Sequence, residues 1–204
     1  MQLFVILIVL VLILVVHFTT MYFLSENTYV TSNVDKRRYL LRSGKHKSQK
    51  HKNESADALA EINKRVTQLI LYLKQEYMND VDKAYFIAKL SENYNSSIIS
   101  EAAIDNRYTT YTVDKENIHV CLRTRDLNEK MYNINVLMYI VLHELAHLCN
   151  YDKSGSPIIG HGKEFKGIFR FLVEEAIKQN VYTYIDFEKN PQEYCGIVIN
   201  SNIL

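Results

Sequence analysis

His143-Glu144-Leu145-Ala146-His147, entered from the apolar run Asn133-Ile134-Asn135-Val136-Leu137-Met138-Tyr139-Ile140-Val141-Leu142, fixes how the rest of the chain reads. With Asn133 or Asn135 as its N-cap, this segment carries apolar side chains on nearly every face, so it reads as a buried α-helix. Positions four apart on a helix share one face, and two imidazoles so placed can reach a single metal ion at roughly 2.0 to 2.1 Å. Glu144 stands beside the first ring but off the ligand stripe, which suits a general base that takes a proton from water. Two imidazoles and a carboxylate in a buried helix would cost on the order of several kcal/mol without partners. A bound cation is the simplest partner.

A catalytic zinc takes three protein ligands and keeps one position open, so a third donor is expected beyond His147. The loop over residues 150–160 (N-Y-D-K-S-G-S-P-I-I-G) ends the motif helix. His161-Gly162 then opens a second helix with the apolar stripe Phe165, Ile168, Phe169, Leu172, Val173 and Ala176. His161 at that junction is the first candidate; Glu164, Glu174 and Glu175 are carboxylate alternatives that stay open. A third histidine six residues after His147 is excluded, because position 153 is Lys. Cys149 follows the motif by two residues and falls off the ligand stripe, which makes it a packing residue. Cys121, Cys149 and Cys195 are odd in number and lack paired spacing, so no disulfide framework is expected.

Leu3 to Leu24 is apolar over about 22 residues, roughly 33 Å of helix against a hydrocarbon core of roughly 30 Å. No small-x-small cleavage site follows it, so residues 1–24 are predicted to be a transmembrane signal-anchor. Residues 25–52 read as a basic juxtamembrane linker. Eight Lys or Arg (positions 36, 37, 38, 42, 45, 47, 50 and 52) and no Asp or Glu fall between Lys36 and Lys52. By the positive-inside rule the N-terminus faces out and the C-terminal part is cytosolic, with the N-terminal helix holding the protein to a membrane. The same run could attract nucleic acid or anionic lipid. Tyr39 is its only ring besides the imidazoles of His46 and His51, which favours a topogenic linker over a reader of nucleic-acid bases through residues 36–52. Residues 53–204 carry 16 Lys plus Arg against 21 Asp plus Glu, a net charge of −5, so the remaining domain is not itself basic.

Those 152 residues are enough for one domain with its own core, and no internal repeat interrupts them. Ser55 can cap a helix in which Leu59, Ile62, Val66, Leu69, Ile70, Leu73 and Tyr77 recur at three- and four-residue spacings. A shorter helix follows over 81–92. The period then changes: 97–102 reads as a short strand, and 108–113 with 118–123 as a hairpin around residues 114–117. A free strand edge above a metal could align an extended peptide by main-chain hydrogen bonds. The fold class is α+β: helices plus a small, mainly antiparallel sheet, behind one N-terminal membrane helix.

His143-Glu144-Leu145-Ala146-His147, a loop, and then His161-Gly162-Lys163-Glu164-Phe165 opening an amphipathic helix resembles the SprT-like and WLM zinc metallopeptidases. Ile118 to the end, including Asn190-Pro191-Gln192-Glu193-Tyr194-Cys195-Gly196, is more specifically similar to membrane-anchored proteins of large DNA viruses. The resemblance implies a minimal zincin-like metallopeptidase domain, with His143, His147 and His161 as ligands of a Zn2+ cofactor, Glu144 as catalytic base, and a protein or peptide substrate whose peptide bonds are hydrolysed. The chain departs from SprT-like enzymes in lacking a four-cysteine zinc ribbon. An oxyanion donor is also expected. Fifteen tyrosines and His119 leave that residue unassigned. The alternative reading is a non-catalytic, zinc-stabilised, membrane-tethered interaction domain.

Overall fold

A computed structural model describes residues 2–23, 27–42, 48–101, 110–113 and 117–204. It is a mixture of helices and small sheets. In chain order these are helix α1 (Gln2–Phe23), strands β1 (Asn27–Thr31) and β2 (Arg38–Arg42), helices α2 (Gln49–Tyr77) and α3 (Ala84–Asn93), and strands β3 (Ile99–Glu101), β4 (Tyr111–Val113) and β5 (Asn117–Val120). Helices α4 (Ile134–Cys149) and α5 (Lys163–Lys178) and the terminal hairpin β6 (Gln192–Tyr194) and β7 (Ile197–Ile199) complete it.

The membrane anchor expected over residues 1–24 is overturned, and with it the single-pass placement and the N-out, cytosolic orientation. Among the described residues no helix is long and apolar enough to cross a membrane. Phe4, Ile6 to Val16 and Phe18 stand exposed along α1, outside the core cluster.

The segment read as a linker over 25–52 contains an antiparallel hairpin, with Asn27 opposite Arg42 and Thr31 opposite Arg38. Its second strand sends Tyr39 and Leu41 into the core. Ser32 donates to Asp57 Oδ1 at 2.7 Å and Asn63 Nδ2 donates to the Tyr39 hydroxyl at 2.8 Å, so the hairpin is fastened to α2. Arg42 is buried and pairs with Glu129 at 3.0 Å, which removes one of the eight basic charges from any surface patch. Lys45 and Lys47 lie outside the described residues.

Helix α2 starts earlier than Ser55. Ser48 caps it by accepting from the His51 N–H, and Leu59, Ile62, Val66, Leu69, Ile70 and Leu73 form the buried stripe that the three-and-four spacing predicts. Ser55 instead accepts from Arg123 Nε at 3.1 Å. Arg123 also donates to His51 O at 2.9 Å, Glu54 Oε2 at 3.1 Å and Glu129 O at 3.1 Å, tying the end of β5 to the first turns of α2.

The central sheet has the order β3-β5-β4. The hairpin expected around 114–117 is the antiparallel β4/β5 pair, whose connecting residues 114–116 lie outside the described set; β3 pairs with β5 in parallel. The three-stranded sheet therefore holds one parallel and one antiparallel pairing where a mainly antiparallel sheet was expected, because β5 turns back from β4 and inserts between it and β3, with which it shares a direction. Helix α4 crosses beneath with Leu137, Met138, Val141, Leu142, Leu145, Ala146 and Leu148 buried. Asn133 caps it by accepting from Asn135 N at 2.8 Å.

After α5 the chain ends in a two-residue hairpin turn at Cys195-Gly196. Both residues have positive φ (49° and 88°), the conformation a tight turn needs between right-twisted strands. Cys195 bonds to Cys121, with 6.5 Å between their Cα atoms and 74 residues of sequence between them. This overturns the expectation of no disulfide. The pairing is created by the tail folding back on the strand after β5 and leaves no trace in local spacing. A closed loop of this size is worth roughly 4 kcal/mol in the chain-entropy description. Chemical unfolding of Cys195→Ser is expected to show a loss of about 2 to 4 kcal/mol, matched by wild type unfolded in reductant.

Candidate metal centre

The motif helix must be buried, yet His143 and His147 reach one open seam between α4 and α5. Helix α5 packs Phe165 and Phe169, one turn apart, against this seam. Phe165 is buried beneath the rings, with centroid distances of 4.2 Å to His147, 4.7 Å to His161 and 4.9 Å to His143. Phe169 meets His143 at 5.2 Å. The aromatic floor limits the rings to one side, so their nitrogens point the same way.

His161 arrives from the loop between the helices. Asp152 Oδ1 gathers the N–H groups of Ser154 and Ser156, Ile158 N donates to Asn150 O at 3.0 Å, and Tyr151 bridges Pro157. The loop is thereby folded into a tight return. Gly160, at φ 86°, makes the last bend before His161, a conformation that any side chain would strain. From α3, Asn93 donates to Leu148 O at 2.9 Å and Tyr85 to Asp152 O at 2.8 Å, holding the base of the loop.

The result is a three-ring cluster. His161 Nε2 lies 3.0 Å from His143 Nε2 and 3.1 Å from His147 Nε2, and all three ligand atoms fall within 4.8 Å of one another. Two nitrogens held tetrahedrally at about 2.0 to 2.1 Å from one ion stand about 3.3 to 3.4 Å apart, so the rings need open only slightly to take one. Three imidazole nitrogens with a free fourth direction suit zinc better than calcium or magnesium, which select oxygen donors. Burial, then the proximity of His147 and His161, pushes His143 down to about 3, keeping it the neutral base a metal requires.

The carboxylate alternatives lie apart from the cluster. Glu175 is buried on the other side of α5, accepting from the Tyr72 hydroxyl at 3.1 Å and pairing with Lys178 at 2.6 Å. Glu164 and Glu174 are exposed. Glu144 is buried at 5 % exposure and lines a cleft of about 390 Å³ together with His143, His161, Phe165, Thr110 and Tyr194. The tail from Ile197 to Ile203 forms another wall of that cleft.

Sequence reasoning did not find Tyr194. It is buried, its hydroxyl bonds Thr110, and burial followed by the nearby Glu144 carboxylate raises its phenol well above the ordinary range. Only the return of the tail through the Cys121–Cys195 bond brings it here, about fifty residues from the motif. His119 is not part of the cleft; its Nδ1 pairs with Ser100 Oγ at 2.9 Å on the sheet. Cys149 is buried with Sγ directed to Leu145 O at 3.1 Å.

The chain is similar to the uncharacterized protein R325 of Acanthamoeba polyphaga mimivirus, with 35% identity over 181 residues that cover 88% of this chain and 86% of the relative. It is also similar to uncharacterized protein 042R of Invertebrate iridescent virus 3, at 39% over 103 residues (50% of this chain, 58% of the relative). A third relative is uncharacterized protein 136R of Invertebrate iridescent virus 6, at 28% over 99 residues (48% and 52%). No protein-family model matches the chain, and neither does any solved structure.

The His143 shift carries a sign for acid stability. Its folded value of about 3 lies below the unfolded value of 6.5, so the unfolded chain takes up the proton first as pH falls. Its contribution is complete above pH 6.5 and is lost progressively towards pH 3. Metal-free protein is expected to lose thermal stability across that window, and His143→Asn is expected to flatten the loss, as read by melting midpoints at stepped pH.

Proposed function

The chain belongs to the family of large-DNA-virus proteins that contains the mimivirus relative, and for this member we propose zinc-dependent hydrolysis of peptide bonds in protein substrates. The observation that carries the proposal is the convergence of His143, His147 and His161 on one point, with Glu144 from the same helix buried in the adjoining cleft. The likeness of residues 143–165 to SprT-like and WLM peptidases supports the same reading from motif alone.

His143, His147 and His161 would hold the ion through their Nε2 atoms, at the edge of the cleft that Glu144 lines. When bound, zinc makes a water acidic enough to attack near neutral pH and polarises the carbonyl under attack. Glu144 accepts the proton of the attacking water at its carboxylate and returns it to the departing amine nitrogen. Its place one residue after the first ligand keeps it beside the ion yet off the ligand stripe. The aromatic floor of Phe165 and Phe169 excludes water from below the rings, which strengthens each electrostatic interaction in the site.

The reading is tested on the purified chain. It is expected to hold one zinc per molecule and to cut unfolded casein; Glu144→Gln is expected to keep the zinc and lose cutting by at least 100-fold. His161→Ala is expected to lose stoichiometric zinc. Cutting unchanged in Glu144→Gln would remove the peptidase assignment, and zinc with no cutting in wild type would leave the three rings as a stabilising site.

A further inference from the structure

If the chain is a zinc peptidase, its cleft must offer a hydrogen-bond donor to the carbonyl oxygen that gains negative charge as water adds. We propose that Tyr194 is that donor and that Thr110 is the residue that positions it. The inference rests on the peptidase reading and adds a catalytic residue to it.

Tyr194, Thr110, Glu144, His143 and His161 line one cleft. The Tyr194 ring is 1 % exposed and the hydroxyl pairs with Thr110 Oγ1. Thr110 Oγ1 accepts from Cys121 N at 3.1 Å, so the threonine proton is available to the phenolic oxygen. With Thr110 as the donor of their shared bond, the chain runs from the Cys121 N–H to Thr110 to Tyr194 and leaves the phenolic proton for the cleft. The phenol stays protonated because it is buried beside Glu144, which is the state a donor needs.

Other donors on the cleft wall are worse placed. The Tyr139 hydroxyl accepts from Ile203 N at 3.2 Å and keeps its own proton, but its ring is packed among Phe169, Tyr182 and Phe187 and Glu144 does not act on it as it does on Tyr194, while Lys166 is exposed on α5. Tyr194 is also rigidly held. Tyr132 packs on its ring at 5.0 Å, donates to Glu193 Oε2 at 2.9 Å and accepts from Cys195 N at 2.7 Å, while the adjoining Cys195 is bonded to Cys121. Four contacts therefore fix the residue on the tail that faces Glu144. Such restraint is what a preorganised donor requires, since reorientation during the reaction would offset its contribution. The phenol makes and breaks no covalent bond; it donates one hydrogen bond that strengthens as the carbonyl oxygen becomes negative.

Steady-state cleavage of labelled casein by zinc-loaded wild type, Tyr194→Phe, Thr110→Val and Glu144→Gln tests the assignment, with zinc content and melting midpoint measured on each. Tyr194→Phe is expected to lower kcat by about 100-fold, with KM within threefold and zinc unchanged. Thr110→Val is expected to lower kcat by about tenfold with the same KM, because the phenol remains but its orientation is lost. A Tyr194→Phe enzyme with kcat within threefold of wild type, beside an inactive Glu144→Gln, overturns the role of Tyr194 and leaves the peptidase reading standing. If Tyr194→Phe melts early or loses zinc, Thr110→Val decides: unchanged kcat in that variant overturns the proposal. A zinc-loaded wild type without cleavage overturns both.

Discussion

A helix that is apolar on nearly all sides can show polar groups to solvent only where its neighbours leave a seam, and α4 has one such seam. Everything at the candidate metal centre follows from where it lies. The seam opens between α4 and α5 because Phe165 and Phe169 fill its floor without closing its mouth. His143 and His147 have one direction in which to point, and the loop from Asn150 to Gly160 is folded so that His161 enters from that direction. A core packed around α4 thus supplies the rigidity that a constellation of three imidazoles requires.

Much of this centre was legible in the chain, because its parts are local. Four-residue spacing fixes His143 and His147 on one face, Asn133 caps the helix, and the turn residues before His161 mark a loop-to-helix junction. The buried stripe of α2 and the pairing of β4 with β5 were readable from periodicity in the same way. What escaped depends on contacts between distant residues. The hairpin of β1 and β2 hides inside a basic run whose charges suggest a linker, yet its Tyr39 and Leu41 are core residues that only α2 can cover. The N-terminal apolar run reads as a membrane span from its length and composition, yet among the described residues no helix is long and apolar enough to cross a membrane. Tyr194 and the Cys121–Cys195 bond depend on the path of the tail, which no local pattern encodes.

The buried charges form a second non-local system. Arg123 donates to Ser55, Glu54 and two backbone carbonyls, while Arg42 pairs with Glu129 and its N–H donates to Glu101 at 3.1 Å. Each guanidinium joins an early segment of the chain to a late one. Such pairs are costly to bury and add little net stability, but deleting one partner leaves the other stranded. Their effect is to fix the register of the first hairpin, the start of α2 and the end of β5 against one another, so that the floor of the sheet cannot slide beneath the motif helix.

The sulfur bridge has a practical consequence for anyone handling the molecule. It closes a circuit that encloses both α4 and α5, and the exposed loop at Lys153 to Pro157 lies within that circuit. A backbone break in the loop would separate the motif helix from its partner in sequence while the two fragments stayed covalently joined. Nicked and intact protein would then have nearly equal mass and migrate alike until a thiol was added, and damage to the loop would pass unseen in any preparation judged without reductant.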